Sequence, residues 1–238
     1  MGVITDHGGP AEPADEYEAI ALPAQDSPGS AMFVRRSSRP SRRAVLHLHE
    51  LSDSLAPTDL VRWYNERGFH FYLTDVDCGE PALSSRRRSS KAHQAAFAAL
   101  DAACGHLREA EGIDAIILSA QGPTALSAAL WCDARPVSRP AEALILSSPE
   151  FGNLRARLDI NCPVLVISTA HPWRDTRRER RGSGVRLGQH VTWLHIDAAA
   201  GHDSPPGAWP APQRRRLFDE MGRWLGAYMY GQVRDQLL

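Results

Sequence analysis

Short, mostly apolar runs separated by segments of helical periodicity are the feature that most restricts how this chain can fold. The runs lie at 44–49 (AVLHLH), 69–74, 113–118, 143–146, 164–167 and 191–196. Runs this short, bounded by polar or Gly/Pro residues, read as strands buried on both faces. Between them the pattern turns helical. Pro57-Thr58-Asp59 opens a helix with Leu60, Val61 and Tyr64 on one face, and Gly68 closes it. Residues 79–90 read as a Ser/Arg-rich loop, and 91–110 as a long helix with Phe97, Leu100, Cys104 and Leu107 on one stripe. The run at 113–118 leads directly into a helical pattern through Trp131. The chain finishes in an amphipathic helix carrying Leu217, Met221, Trp224, Leu225 and Tyr228. Strand followed by helix, repeated, predicts an α/β fold: a mostly parallel twisted sheet with helices on both faces. Ahead of it, 17–22 and 31–36, joined by AQDSPGS, predict a hairpin. Residues 1–16 are polar and Gly/Pro-rich and read as a flexible tail, leaving 17–238 as a single domain.

Composition narrows the function classes. At 238 residues and 43% hydrophobic content the chain can enclose one two-sided core. A net charge of −1 argues against a nucleic-acid or membrane surface role, and no apolar run approaches the length of a membrane span. Cys78, Cys104, Cys132 and Cys162 have no C-x-x-C spacing, and the N-terminus has no secretory pattern, so reduced thiols in a cytoplasm are expected. Of the 27 Lys and Arg residues only Lys91 is a lysine, the mark of a GC-rich genome. Lys91 sits in no glycine-rich context, which removes P-loop and Schiff-base chemistry, and no cofactor motif is present. His47 and His49 share a strand face and could ligate a metal, but packing is the better reading, because no third ligand is near in sequence.

The stretch Ser119-Ala120-Gln121-Gly122-Pro123-Thr124-Ala125, running into Ala128-Ala129-Leu130-Trp131, and the turn His49-Glu50-Leu51 carry a resemblance. With the order of elements over about 17–230, they resemble the α/β-hydrolase family, and within it the lysophospholipase-like and serine-aminopeptidase-like branch. That branch has Asn-Ala-His-Ser-x-Gly-Gly at its nucleophile elbow and His-Gly-Phe at the earlier turn. The resemblance therefore puts Gly122 at the elbow's apex, where the nucleophilic serine belongs. A shifted register puts Gln121 or Ala120 there instead, and none of the three can attack a carbonyl. Ser119 is a poor substitute, lacking the flanking glycines. One oxyanion donor would be the N–H of residue 123, which is Pro123 and has none. Glu50 replaces the turn glycine and would repel a developing oxyanion. The elbow is degenerate, and serine hydrolysis is not expected.

The same resemblance implies a catalytic histidine at His202, in Ala200-Gly201-His202-Asp203, with Asp175 as its acid and Glu150 as the alternative acid. Such a dyad is a general base near neutral pH even without a serine; alternatively, His202 only packs and hydrogen-bonds. Glu50 is either a proton-transfer group facing His202 or a solvated turn residue. His49, Leu51, Glu150 and Trp173 are candidate pocket residues, Trp209 flanks the same region, and the arginines of 174–181 stand near its mouth. The helical cap that many relatives insert is reduced or absent, since Pro163 follows Asn153 closely. Two functions follow from this. One is cyclisation, dehydration or isomerisation of a hydrophobic small molecule, with bacterial secondary metabolism as its setting. The other is a catalytically inactive pseudo-hydrolase that binds a ligand, with a second copy or another protein covering the uncapped site.

Overall fold

The computed structural model describes residues 17–22, 31–50, 58–76, 86–122, 124–135, 140–149, 157–170, 186–187, 190–197 and 211–230. An eight-stranded sheet organises them, in the order β1-β2-β4-β3-β5-β6-β8-β10. β1 (Glu18–Ala21) and β2 (Ala31–Arg35) form the expected antiparallel hairpin, and β2 also runs antiparallel to β4 (His70–Val76). From β4 onward every pairing is parallel, through β3 (Arg43–Glu50), β5 (Ala115–Gln121), β6 (Ala143–Ser147), β8 (Val164–Ala170) and β10 (Val191–Asp197). A separate two-stranded ladder joins β7 (Arg157–Leu158) to β9 (Arg186–Leu187).

Alternation of side chains divides the core between the two faces. One face carries Leu46, Leu48, Leu118, Ala120, Leu144, Leu146, Val164 and Val166 against α2 (Arg86–Glu109) and α3 (Thr124–Asp133). The other carries Val45, Ile117, Ile145, Leu165 and Ile167 against α1 (Thr58–Glu66) and α4 (Ala211–Leu225). Trp131, 1% exposed, locks α3 to α2: its Nε1 donates to Asp101 Oδ1 at 3.1 Å, and the Arg135 guanidinium lies 5.0 Å from its ring. Trp224 Nε1 donates to Thr192 Oγ1 at 3.2 Å, tying α4 to β10. Cys104, Cys132 and Cys162 are buried and in no disulfide. No helix among the described residues is long and apolar enough to cross a membrane.

Among the boundaries that differ from the sequence expectation, two have a clear physical reason. The long helix starts at Arg86 rather than at 91, so the last part of the expected Ser/Arg loop is helical. Arg and Lys are good helix formers, and they outweigh the two serines among them. β5 begins at Ala115, whereas Ile113 lies in the preceding turn, its N–H bonded to Leu107 O at 2.9 Å and its side chain 3% exposed. Apolar character there marks a buried turn rather than a strand.

At the opposite end of the sheet from the candidate site, His70 is neutral by construction. Its Nδ1 accepts from Ser37 N–H at 2.9 Å, and its Nε2–H donates to Ser41 O at 3.1 Å. Burial first, opposed by the Ser41 carbonyl and helped by the Arg36 charge, holds its pKa below the ordinary 6.5. A depressed histidine pKa stabilises the fold above the unfolded value, and that contribution is lost as the pH falls through the folded one. We therefore expect the unfolding midpoint to drop on acidification below about 6.5. His70→Gln should flatten that part of the profile; an unchanged profile in the variant would place the acid sensitivity elsewhere.

Candidate active site

Strand connections reverse direction between β3 and β5: β3 is followed by β4 on one side, while β5, β6, β8 and β10 succeed one another on the other. In open α/β sheets ligands bind at the carboxyl ends of the strands around such a reversal. β3 ends there in Glu50, and β5 ends in Gln121, with Gly122 following in the turn.

The turn from β5 into α3 is short and built from backbone constraints. Gly122 has φ +55, a left-handed conformation that glycine adopts without steric penalty. Its N–H donates to Ser147 O at 3.0 Å, continuing the ladder to β6, and its carbonyl accepts from Ala125 N–H at 3.3 Å. The Thr124 hydroxyl clamps the turn. Its oxygen accepts from Gln121 N–H at 3.1 Å, and its proton reaches Gln121 O at 2.8 Å, with Leu48 O of β3 at 3.4 Å. Thr124 is 1% exposed, so Thr124→Val leaves these backbone groups without the hydroxyl. We expect a loss of about 1–3 kcal/mol in denaturant unfolding; a loss below a few tenths would mean that water replaces the hydroxyl.

Pairing registers put several chemical groups at one height. Leu48 pairs with Ala120, so Glu50 stands level with Gly122. Gln121 pairs with Ser147, which sets Ser148 beside Gly122. Ser147 pairs with Ile167, which sets Ser168 beside Ser148. Ser168 pairs directly with His195. One row thus crosses the carboxyl edge: Glu50, Gly122, Ser148, Ser168, His195. Ser148 is exposed and has φ 45, unusual for a residue with a side chain, and its N–H donates to Ile167 O at 2.7 Å. Ser168 Oγ and His195 Nδ1 are 2.7 Å apart.

A second hydroxyl–imidazole contact lies deeper. His47 Nδ1 is 3.1 Å from Ser119 Oγ, and the two residues are 5% and 4% exposed, with the Phe71 ring 5.8 Å from the imidazole. His47 is packed inside the sheet, in keeping with the packing reading, and Ser119 lies three residues before the apex. No His/Cys/Asp/Glu cluster among the described residues could hold a metal.

Of the residues singled out from sequence, Gln121 and Gly122 form the strand-to-helix turn, and His49 and Glu50 end β3, described there by their backbone. Leu51, Pro123, Glu150, Trp173, Asp175, His202 and Trp209 lie outside the described residues, as do the arginines of 174–181 and the expected tail at 1–16. Thr124, Ser148, Ser168 and His195 had not been singled out. Each is a polar residue set in or just after an apolar stretch, and that interruption was the available signal.

No protein-family profile matches the sequence, and no curated protein matches it. Solved structures do match. Esterase 2 of Thermogutta terrifontis, in a form phosphoramylated by tabun, is 14% identical with a TM-score of 0.60, covering 92% of this chain and 96% of its own. A candidate dienelactone hydrolase of Klebsiella pneumoniae gives 12% and 0.61, covering 89% and 98%. An esterase of Pyrococcus furiosus gives 14% and 0.58, covering 92% and 97%. At such identities the likeness speaks to the fold, which is the α/β-hydrolase fold. Residues 148–163 are all that separate β6 from β8, too few for a helical cap domain.

Proposed function

We propose that this chain is a non-hydrolytic protein of the α/β-hydrolase fold that transfers protons on a hydrophobic small molecule, with cyclisation, dehydration or isomerisation as the reaction class. The observation that carries the reading is Gly122. It occupies the left-handed apex of the strand-to-helix turn at the sheet's reversal point, and it has no side chain with which to attack a carbonyl. Acyl transfer by the serine route needs a nucleophile at that apex and a hydrogen-bond donor beside it. Pro123 has no N–H to give. In this proposal His202 is the general base, Asp175 orients it, and Glu50 is a second proton-transfer group; no cofactor is required. A cytoplasmic setting and a place in bacterial secondary metabolism belong to the same proposal, as does the degenerate-elbow kinship with the lysophospholipase-like branch.

A fluorophosphonate probe and a p-nitrophenyl ester panel test the reading. The expected result is no covalent labelling and no hydrolysis above the heat-denatured protein. Stoichiometric labelling of any serine would overturn it. The lack of room for a cap between β6 and β8 favours a second reading, in which the open edge binds a ligand or a protein partner without turnover. Tight binding unaffected by His202→Ala would select that reading.

A further inference from the structure

β10 is the outermost strand on its side of the sheet, with β8 as its neighbour among the described residues. One hydrogen bond sets its backbone parity. Val164 N–H donates to His190 O at 2.8 Å, and Val191 is the register partner of Val164. Along a strand in a parallel ladder, the N–H and C=O of one residue point to the same side, and the side alternates with each residue. His190, Thr192, Leu194 and Ile196 therefore face β8. Val191 and Trp193 turn their N–H and C=O outward, and no hydrogen bond among the described residues uses those groups.

Sheet edges are usually blunted by a charge, a proline or a very short strand. The opposite edge is blunted in this way: β1 has four residues, and its exposed Glu18 pairs with Arg36 at 3.2 Å. β10 is not. It runs for seven residues, VTWLHID, with no proline and no Asp, Glu, Lys or Arg before Asp197. Most of these residues are β-branched or aromatic, the types that favour further strand pairing. Residues 164–168 of β8 are buried, whereas 191–195 of β10 are half-buried or exposed. Trp193 is the large apolar side chain that stands exposed among the described residues, at 36%, on the same sheet face as its register partner Val166.

We infer that the β10 edge is an interface between two copies of this chain, joined by antiparallel pairing of their β10 strands about a two-fold axis near Trp193. A strand edge paired this way is complementary to itself, so one surface serves both copies and association closes at two. No like charges meet across the axis, because residues 191–196 carry no acidic or basic group. A net charge of −1 leaves little repulsion between whole chains. The outward N–H and C=O groups of Trp193 gain partners, and the two indoles come together on one face of a continuous sheet. Antiparallel pairing turns the carboxyl edges of the two sheets in opposite directions, so neither copy covers the other's β3/β5 crevice. The interface is therefore independent of the chemistry proposed above.

Sedimentation velocity on the full chain over a concentration series tests this. The expected result is a two-chain species whose share rises with concentration. Hydrogen exchange locates the contact. The Trp193 amide should exchange about tenfold more slowly where the two-chain species predominates, while the Leu194 amide, directed at β8, should be protected throughout. Trp193→Pro removes the outward N–H and leaves every group directed at β8 in place, a substitution that edge strands tolerate; it should give a single-chain species. Trp193→Arg keeps the N–H but sets like charges across the axis, and should raise the Kd about tenfold, with added salt recovering part of the loss. Circular dichroism checks that each variant is folded, and should Trp193→Pro fail to fold, Trp193→Arg and the exchange rates decide. A single-chain species across the whole series overturns the inference. So does a two-chain species that survives both substitutions or leaves the Trp193 amide unprotected, since it must use another surface. Slow exchange of that amide in the single-chain species overturns it as well, because the edge is then covered from within the chain.

Discussion

Gly122→Ser is expected to create a protein that fluorophosphonate labels at position 122, where glycine offers no side chain to label. An ideal Cβ at Gly122 meets nothing within 4 Å, so the added side chain has room. The backbone is at φ +55, so the substitution should lower stability by about 1–2 kcal/mol. The new hydroxyl would stand at the apex of the turn, the position from which the fold presents a nucleophile. Labelling alone would show that the geometry survives; turnover of p-nitrophenyl acetate requires more. Pro123 lacks the N–H that stabilises an oxyanion, and adding Pro123→Ala should raise the rate by a further 10²–10³, roughly the effect of one such donor. Glu50→Gly should add to this by removing a carboxylate from the end of β3. A folded triple variant that neither labels nor turns over would show that the apex is not aimed at a usable base. That result would count against His202 as its partner.

The largest expected loss of stability belongs to Trp131→Ala. The side chain is 1% exposed, donates to Asp101 at 3.1 Å, and lies under the Arg135 guanidinium, which also ion-pairs with Asp101. Removing a buried indole typically costs about 3–5 kcal/mol, a large share of an ordinary domain's stability. Calorimetry should show the midpoint falling by about 2–4 °C for each kcal/mol lost. Trp131→Phe keeps most of the packing and loses the bond to Asp101, so it should fall between the two. Because α3 begins at the apex turn, the Ala variant should also blunt whatever labelling Gly122→Ser confers. A midpoint within a degree of wild type would mean that α3 is held by its strand contacts alone.

Much of the sheet was legible because parallel strands buried on both faces leave continuous apolar runs. The ends of those runs were less so. β8 continues through Ser168 to Ala170, and polar residues in a buried strand break the very pattern used to find it. β7 and β9 are two residues each and exist only because they meet each other, which no local pattern records. At the site, Gly122 could be read from sequence because strand, glycine and helix follow one another directly. The Thr124 clamp could not, since its hydroxyl serves Gln121 nearby but also reaches towards Leu48, far back in the chain. The Ser168–His195 pair was hidden for the same reason: its two halves belong to separate runs, and only the register between β8 and β10 brings them together.

The shared height of Glu50, Gly122, Ser148, Ser168 and His195 has a consequence for how such a protein can change. Parallel strands in register make the carboxyl edge a series of equivalent stations, each one residue beyond or within the last ladder pair and each backed by the same core. A reactive group can disappear from one station and be replaced at the next without altering a helix, a loop length or a strand order. The glycine after β5 is one such station: a side chain added there meets nothing within 4 Å, so its identity can differ while the packing underneath stays untouched.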